Sequence, residues 1–124
     1  MVLKYCNLSA NTLLEWFPEL EKEIKNNMHL SENLPSCLYS DVINPVLFDY
    51  FNNNNSANEE LIKRIFDFFE YLAVNGDEEV RNMLQVSLLE NLWDTKCSYE
   101  NSLSFMKPKT RLINDKIISY LSKP

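Results

Sequence analysis

The sequence predicts an all-α fold, a single-domain bundle of about five to seven helices over residues 1–124. Three observations carry this. The 124 residues contain one glycine, Gly76, whereas the tight turns of meanders and barrels lean on glycine. From Leu61 to Trp93 apolar residues recur at helical rather than alternating spacing. The chain is 45% apolar, with seven Phe, six Tyr and two Trp, enough for one core in a chain of this length.

Near the start, Asn11 or Thr12 can cap a helix holding Leu13, Leu14, Trp16 and Phe17. Pro18 cannot donate inside a helix, so it kinks this one or begins the next. Glu19 to Met28 continues as an amphipathic segment with Leu20 and Ile24 inward. Residues 30–40, with Pro35 and several Ser and Asn, predict a loop. Ser40 or Asp41 then opens a short helix through Val42, Val46, Leu47, Tyr50 and Phe51, with Pro45 near its first turn. The run Asn52–Asn55 ends it, because asparagine competes for helix backbone groups.

The centre of the fold is an antiparallel helical hairpin, approximately 57–74 and 78–94. Ser56-Ala57-Asn58-Glu59 has the pattern of a capping box. Leu61, Ile62, Ile65, Phe66, Phe69, Leu72 and Ala73 then line one broad face. Asn75-Gly76 predicts the left-handed residue that commonly closes a helix. Asp77 caps the next, with Glu78 and Glu79 at the positive end of its dipole. From Val80 to Trp93 the apolar positions cover most of the circumference, predicting a helix surrounded by others. Downstream, Ser98 can start a short segment with Leu103, Phe105 and Met106, and Pro108 breaks it. Thr110 or Asn114 leads into a last helix with Leu112, Ile113, Ile117, Ile118 and Leu121.

Charge narrows the function. The net charge is −6, and it is uneven: residues 1–94 hold 16 acids against 6 bases, residues 95–124 hold 2 against 6. An acidic body disfavours direct nucleic-acid binding, which relies on neutralising phosphates. It equally disfavours an anionic membrane surface and suits a basic protein partner. With one glycine, no phosphate-cradling loop, dinucleotide fingerprint or nucleophile elbow can be drawn. No run approaches the ~20 apolar residues of a membrane span, and Met1 to Asn7 lacks a signal-peptide pattern. A cytoplasmic protein is expected, with Cys6, Cys37 and Cys97 as small buried hydrophobes in a reducing compartment.

Catalytic chemistry finds little footing. His29 is the only imidazole, so neither a zinc set nor a nucleophile–base pair can be completed. Glu59-Glu60 and Glu78-Glu79 stand at helix starts, where carboxylates cap. A binding protein without catalytic residues, cofactor or metal is the expectation. Glu90 stands out on the nearly all-apolar helix, where a carboxylate needs a donor such as Arg81, Arg111 or a backbone amide.

The stretches Phe66-Asp67-Phe68-Phe69-Glu70, Asn75-Gly76-Asp77-Glu78-Glu79-Val80-Arg81-Asn82 and Val86-Ser87-Leu88-Leu89-Glu90-Asn91-Leu92, with Phe105-Met106-Lys107-Pro108-Lys109-Thr110, resemble small all-helical bacterial immunity proteins. These include the cytoplasmic partners of contact-dependent growth inhibition toxins, the CdiI type. The resemblance covers roughly residues 60–112. It implies an antitoxin that binds one cognate toxin domain in a 1:1 complex and blocks its active site. It also implies a basic nuclease as target, with an RNase acting on transfer RNA foremost. Charge complementarity of that kind speeds association and rejects wrong partners. No toxin-contacting residue transfers from the family.

Candidate toxin-binding residues follow from acids that no helix cap claims, Asp67, Glu70, Glu90 and Asp94. Tyr71 and Trp93 are the aromatic anchors, since hot spots favour such side chains. Asp77-Glu78-Glu79-Val80-Arg81 also echoes the start of a HEAT-type helix, so a HEAT-like adaptor binding an endogenous protein is the alternative. One unit does not make a solenoid.

Overall fold

A computed structural model describes residues 2–28, 35–53 and 59–121, the side chains of 118–121 excepted. Among these residues the chain is all-α, and the one β feature is a single bridge between Leu3 and Gly76. The helices are α1 (Ala10–Trp16), α2 (Glu21–Met28), α3 (Pro35–Asn53), α4 (Glu59–Asn75), α5 (Glu78–Met83), α6 (Lys96–Ser102) and α7 (Pro108–Leu121). Between α5 and α6 the chain stays helical, first in wide turns over Leu84–Leu89 and then in tight ones over Glu90–Asp94. His29 and Ser56 lie outside the described residues, as do the residues 30–34 of the predicted loop and Asn54 and Asn55 of the asparagine run.

The helical hairpin sits at the centre, and α4 is buried on two sides. At about 100° per residue, Phe66 and Phe68 point in nearly opposite directions, yet both are buried. Phe66 meets Phe69 edge-on at 5.2 Å between ring centroids and stacks on Phe105 at 5.6 Å. Phe68 packs against Trp16 at 5.1 Å, Phe17 at 5.4 Å and Tyr39 at 5.9 Å. Aromatic pairs at such separations add about 0.5–1.5 kcal/mol to the burial of their area.

The second arm differs from the uniform, surrounded helix that its pattern predicts. Leu84, Leu88, Leu89 and Leu92 are buried, but Val86 is half exposed. The change of pitch accounts for this: the amide of Glu90 donates to the carbonyl of Gln85, five residues back. Such a wide turn re-phases the following positions, directing Leu88, Leu89 and Leu92 onto the core and leaving Val86 outside.

Three local expectations are corrected. Gly76 does not adopt a left-handed conformation; its backbone angle lies outside that region. Its requirement is close approach, because a Cβ there would run into the Leu72 carbonyl and the Val80 side chain. The joint is pinned by Leu3, whose amide donates to Asn75 O (2.7 Å) and whose carbonyl accepts from the Asp77 amide (2.9 Å). Second, α3 begins at Pro35, runs through Pro45 and continues to Asn53. Pro35 is pre-set for a first helical position. An interior proline costs about 3 kcal/mol, and burial of Leu38, Tyr39, Val42, Ile43, Leu47 and Phe51 offsets that. Third, Cys6, Cys37 and Cys97 are exposed rather than core; on α6 the buried positions fall to Ser98 and Ser102.

Helix ends also move. Ser9 caps α1, accepting from the Thr12 amide at 3.3 Å. Thr95, not Ser98, caps α6, accepting from the Ser98 amide at 3.1 Å. Pro108 starts α7 instead of breaking the preceding segment. Asp77 caps α5 as its sequence predicts, accepting from Val80 at 2.9 Å. Across the fold, Arg64 Nη1 donates to both Glu19 oxygens at 2.6 and 2.7 Å, which holds that carboxyl below the usual range. Among the described residues no helix is long and apolar enough to cross a membrane.

Candidate functional site

The outer face of α3 forms one wall of an open groove of about 840 Å³. Asp41, Asn44, Pro45 and Phe48 lie at spacings of three and four along it, and Asp49 adjoins them. The opposite wall is Asn91, Leu92, Asp94 and Ser98, and Asn27 contributes from α2. Two hydrogen-bond clusters stitch the walls together. At the base, the Ser87 carbonyl accepts from Asn44 Nδ2 (3.1 Å) and from Asn91 Nδ2 (2.7 Å). At the α6 end, Asn52 Nδ2 donates to Ser98 Oγ (2.8 Å) while Asn52 Oδ1 accepts from the Thr95 hydroxyl (2.7 Å). A groove held at two points is organised before any partner arrives, which lowers the ordering cost of binding.

Its chemistry is acidic and partly apolar. Asp41, Asp49 and Asp94 line it, and among the described residues no lysine or arginine does. Asp41 and Asp94 are exposed, and neither forms an ion pair among the described residues. Asp49 Oδ1 accepts from Asn53 at 2.9 Å. Phe48 leaves 51% of its surface exposed and so presents apolar area to the groove. Pro45 lacks an amide hydrogen and so leaves the Asp41 carbonyl without its helical donor. Among the described residues, no three His, Cys, Asp or Glu side chains converge closely enough to hold a metal ion.

The predicted site residues are not brought together. Asp94 lines the groove. Asp67 pairs with Lys107. Glu70 is a helix cap after all, for a helix 39 residues away: it accepts from the amides of Lys109 (3.1 Å) and Thr110 (2.9 Å) and from the Thr110 hydroxyl (3.0 Å). A carboxylate at that terminus satisfies amides that α7 cannot pair internally. Tyr71 packs on Trp16 at 5.3 Å. Trp93 lies against Tyr99 at 4.1 Å and donates to Asn114 Oδ1 at 3.2 Å, so it is tied inward.

Glu90 is half-buried and does not reach the arginines that its position suggested. Arg81 donates to the Gly76 carbonyl at 2.9 Å, and Arg111 lies 3.9 Å from Asp115. The residues that sequence reasoning missed are Asp41, Asp49 and Phe48. Their signal is one of phase: Phe48 falls off the apolar set of Leu38, Val42, Leu47 and Phe51, and a large aromatic out of register with a core stripe points outward.

A family model described as a domain of unknown function, DUF7674, matches residues 10–121. No curated protein and no solved structure matches the chain.

Proposed function

We propose that this chain, which belongs to the DUF7674 family, is an immunity protein that binds and neutralises a basic toxin domain through its acidic groove. The observation that carries the reading is the groove itself, where Asp41 and Asp94 flank a half-exposed Phe48 and no lysine or arginine lines it among the described residues. A nuclease must be basic where it holds phosphate, and an acidic face gives fast, selective association with such a surface. The acidic body and the resemblance to immunity proteins of contact-dependent growth inhibition systems support the same reading, with an RNase as target and transfer RNA as its substrate class. The protein's part is binding rather than catalysis, in a 1:1 complex within the cytoplasm.

The test is co-expression of the tagged protein with the domain encoded beside it, scored by growth and by the stoichiometry of the purified complex. The expected outcome is a basic partner that arrests growth when expressed alone and copurifies one-to-one. Loss of rescue in Asp41→Asn/Asp94→Asn, with unchanged melting, would place the contact at the groove. A partnerless bait that gives no rescue overturns the reading in favour of a helical adaptor.

A further inference from the structure

We infer that the groove between α3 and residues 91–98 receives one protruding segment of a protein partner, in which an apolar side chain is flanked by lysines or arginines. The inference uses the same groove as the functional reading, but it does not require the partner to be a toxin. Shape is the first argument. A concave surface with two fixed walls takes a projection and cannot fill another protein's cleft, so contact is made by something that stands out from the partner.

Charge distribution is the second. The carboxylates of Asp41 and Asp94 stand on opposite walls, and no three such side chains among the described residues can close on a single metal ion. Their complement is therefore a set of separate cations, as successive basic side chains supply, with their apolar stems lying along the walls. A nucleic-acid strand is repelled by the same array. Phe48 supplies the third argument, because its half-exposed ring beside Pro45 offers an apolar seat between the charged positions, the arrangement expected of a hot spot ringed by polar contacts. If the partner is a nuclease toxin, it is held by a basic projection beside its active site rather than by a plug inserted into it.

A fluorescein-labelled peptide of four Lys-Leu-Arg repeats, followed by anisotropy at about 150 mM salt to screen diffuse attraction, tests this directly. Phe48→Ala and Asp41→Asn/Asp94→Asn are each expected to weaken binding about tenfold or more. The charge-matched pair Glu15→Gln/Glu78→Gln, away from the groove, is expected to bind as wild type. Phe48 is half exposed, so its variant should fold, and circular dichroism verifies that. Equal losses in the groove pair and the control pair, or no loss in Phe48→Ala, overturn the inference. A toxin domain neutralised by the protein while the peptide ignores both groove changes overturns this inference and leaves the functional reading standing. A peptide seated at the groove without toxin rescue does the reverse.

Discussion

On the α4–α7 face, Asp67 pairs with Lys107 and Glu70 caps α7, whereas along the groove Asp41 and Asp94 meet no cation among the described residues. Both faces carry carboxylates on helical segments, half-buried at Asp67 and Glu70 and exposed at Asp41 and Asp94. The first set is neutralised by residues about 40 positions downstream; the second is held open by amide side chains, Asn44, Asn52 and Asn91, which join the walls without adding charge. A surface acid is thus available for a partner according to what the tertiary fold brings opposite it, and an asparagine frame leaves the field of the aspartates intact.

The largest expected effect sets two phenylalanines against each other. Phe68 is fully buried among Trp16, Phe17 and Tyr39, so Phe68→Ala should cost about 3–5 kcal/mol in urea denaturation. Phe48→Ala, at a half-exposed ring, should cost about 1 kcal/mol. Comparable losses in the two variants would mean that Phe48 belongs to the core and that the groove is not a free surface.

The two kinds of carboxylate come next. Glu70→Ala removes the acceptor of three hydrogen bonds at the start of α7 and should cost about 1–2 kcal/mol, as loss of a helix cap does. Asp94→Ala should stay within about 0.5 kcal/mol. The comparison inverts in binding, where Asp94→Ala should weaken the basic peptide and Glu70→Ala should not. A Glu70 variant as stable as wild type would show that the clasp on α7 contributes nothing.

Much of this fold was legible beforehand because it follows from local chemistry. The hairpin, the Asp77 cap and the helical phase of Leu61 to Ala73 depend on neighbours three or four residues apart. The misread parts share a different cause. Pro45 inside α3, the re-phasing at Leu84–Leu89 and the use of Glu70 by α7 are each decided by long-range packing that overrides a local preference. Gly76 is instructive: its presence at the joint was readable, but the reason is the nearness of Val80 and of the Leu3 strap, not a left-handed turn. For the site, Asp94 was within reach of a rule that seeks uncapped acids. Asp41 escaped that rule because in sequence it opens a short helix, while α3 in fact begins at Pro35; Asp49, within the same helix, was not singled out.

The smallest effect separates the two sides of α3 by pH. Asp41 and Phe48 face the groove, whereas Tyr39 is fully buried on the opposite side, its hydroxyl donating to the Ser9 carbonyl at 2.8 Å. Burial pushes its pKa from 10.0 up to about 12, because the phenolate would lose its hydration. A group whose folded value is raised contributes stability that is fully present below its unfolded pKa and disappears as pH rises through the folded one. The wild-type urea midpoint should therefore fall between pH 10 and 12. Tyr39→Phe keeps the ring and removes the titrating hydroxyl, so it should start lower by about 0.5–1.5 kcal/mol from the lost hydrogen bond and fall less steeply across that range. Peptide binding at neutral pH should be the same in both proteins, since the groove lies on the other face. Parallel alkaline slopes would detach the buried side of α3 from the effect.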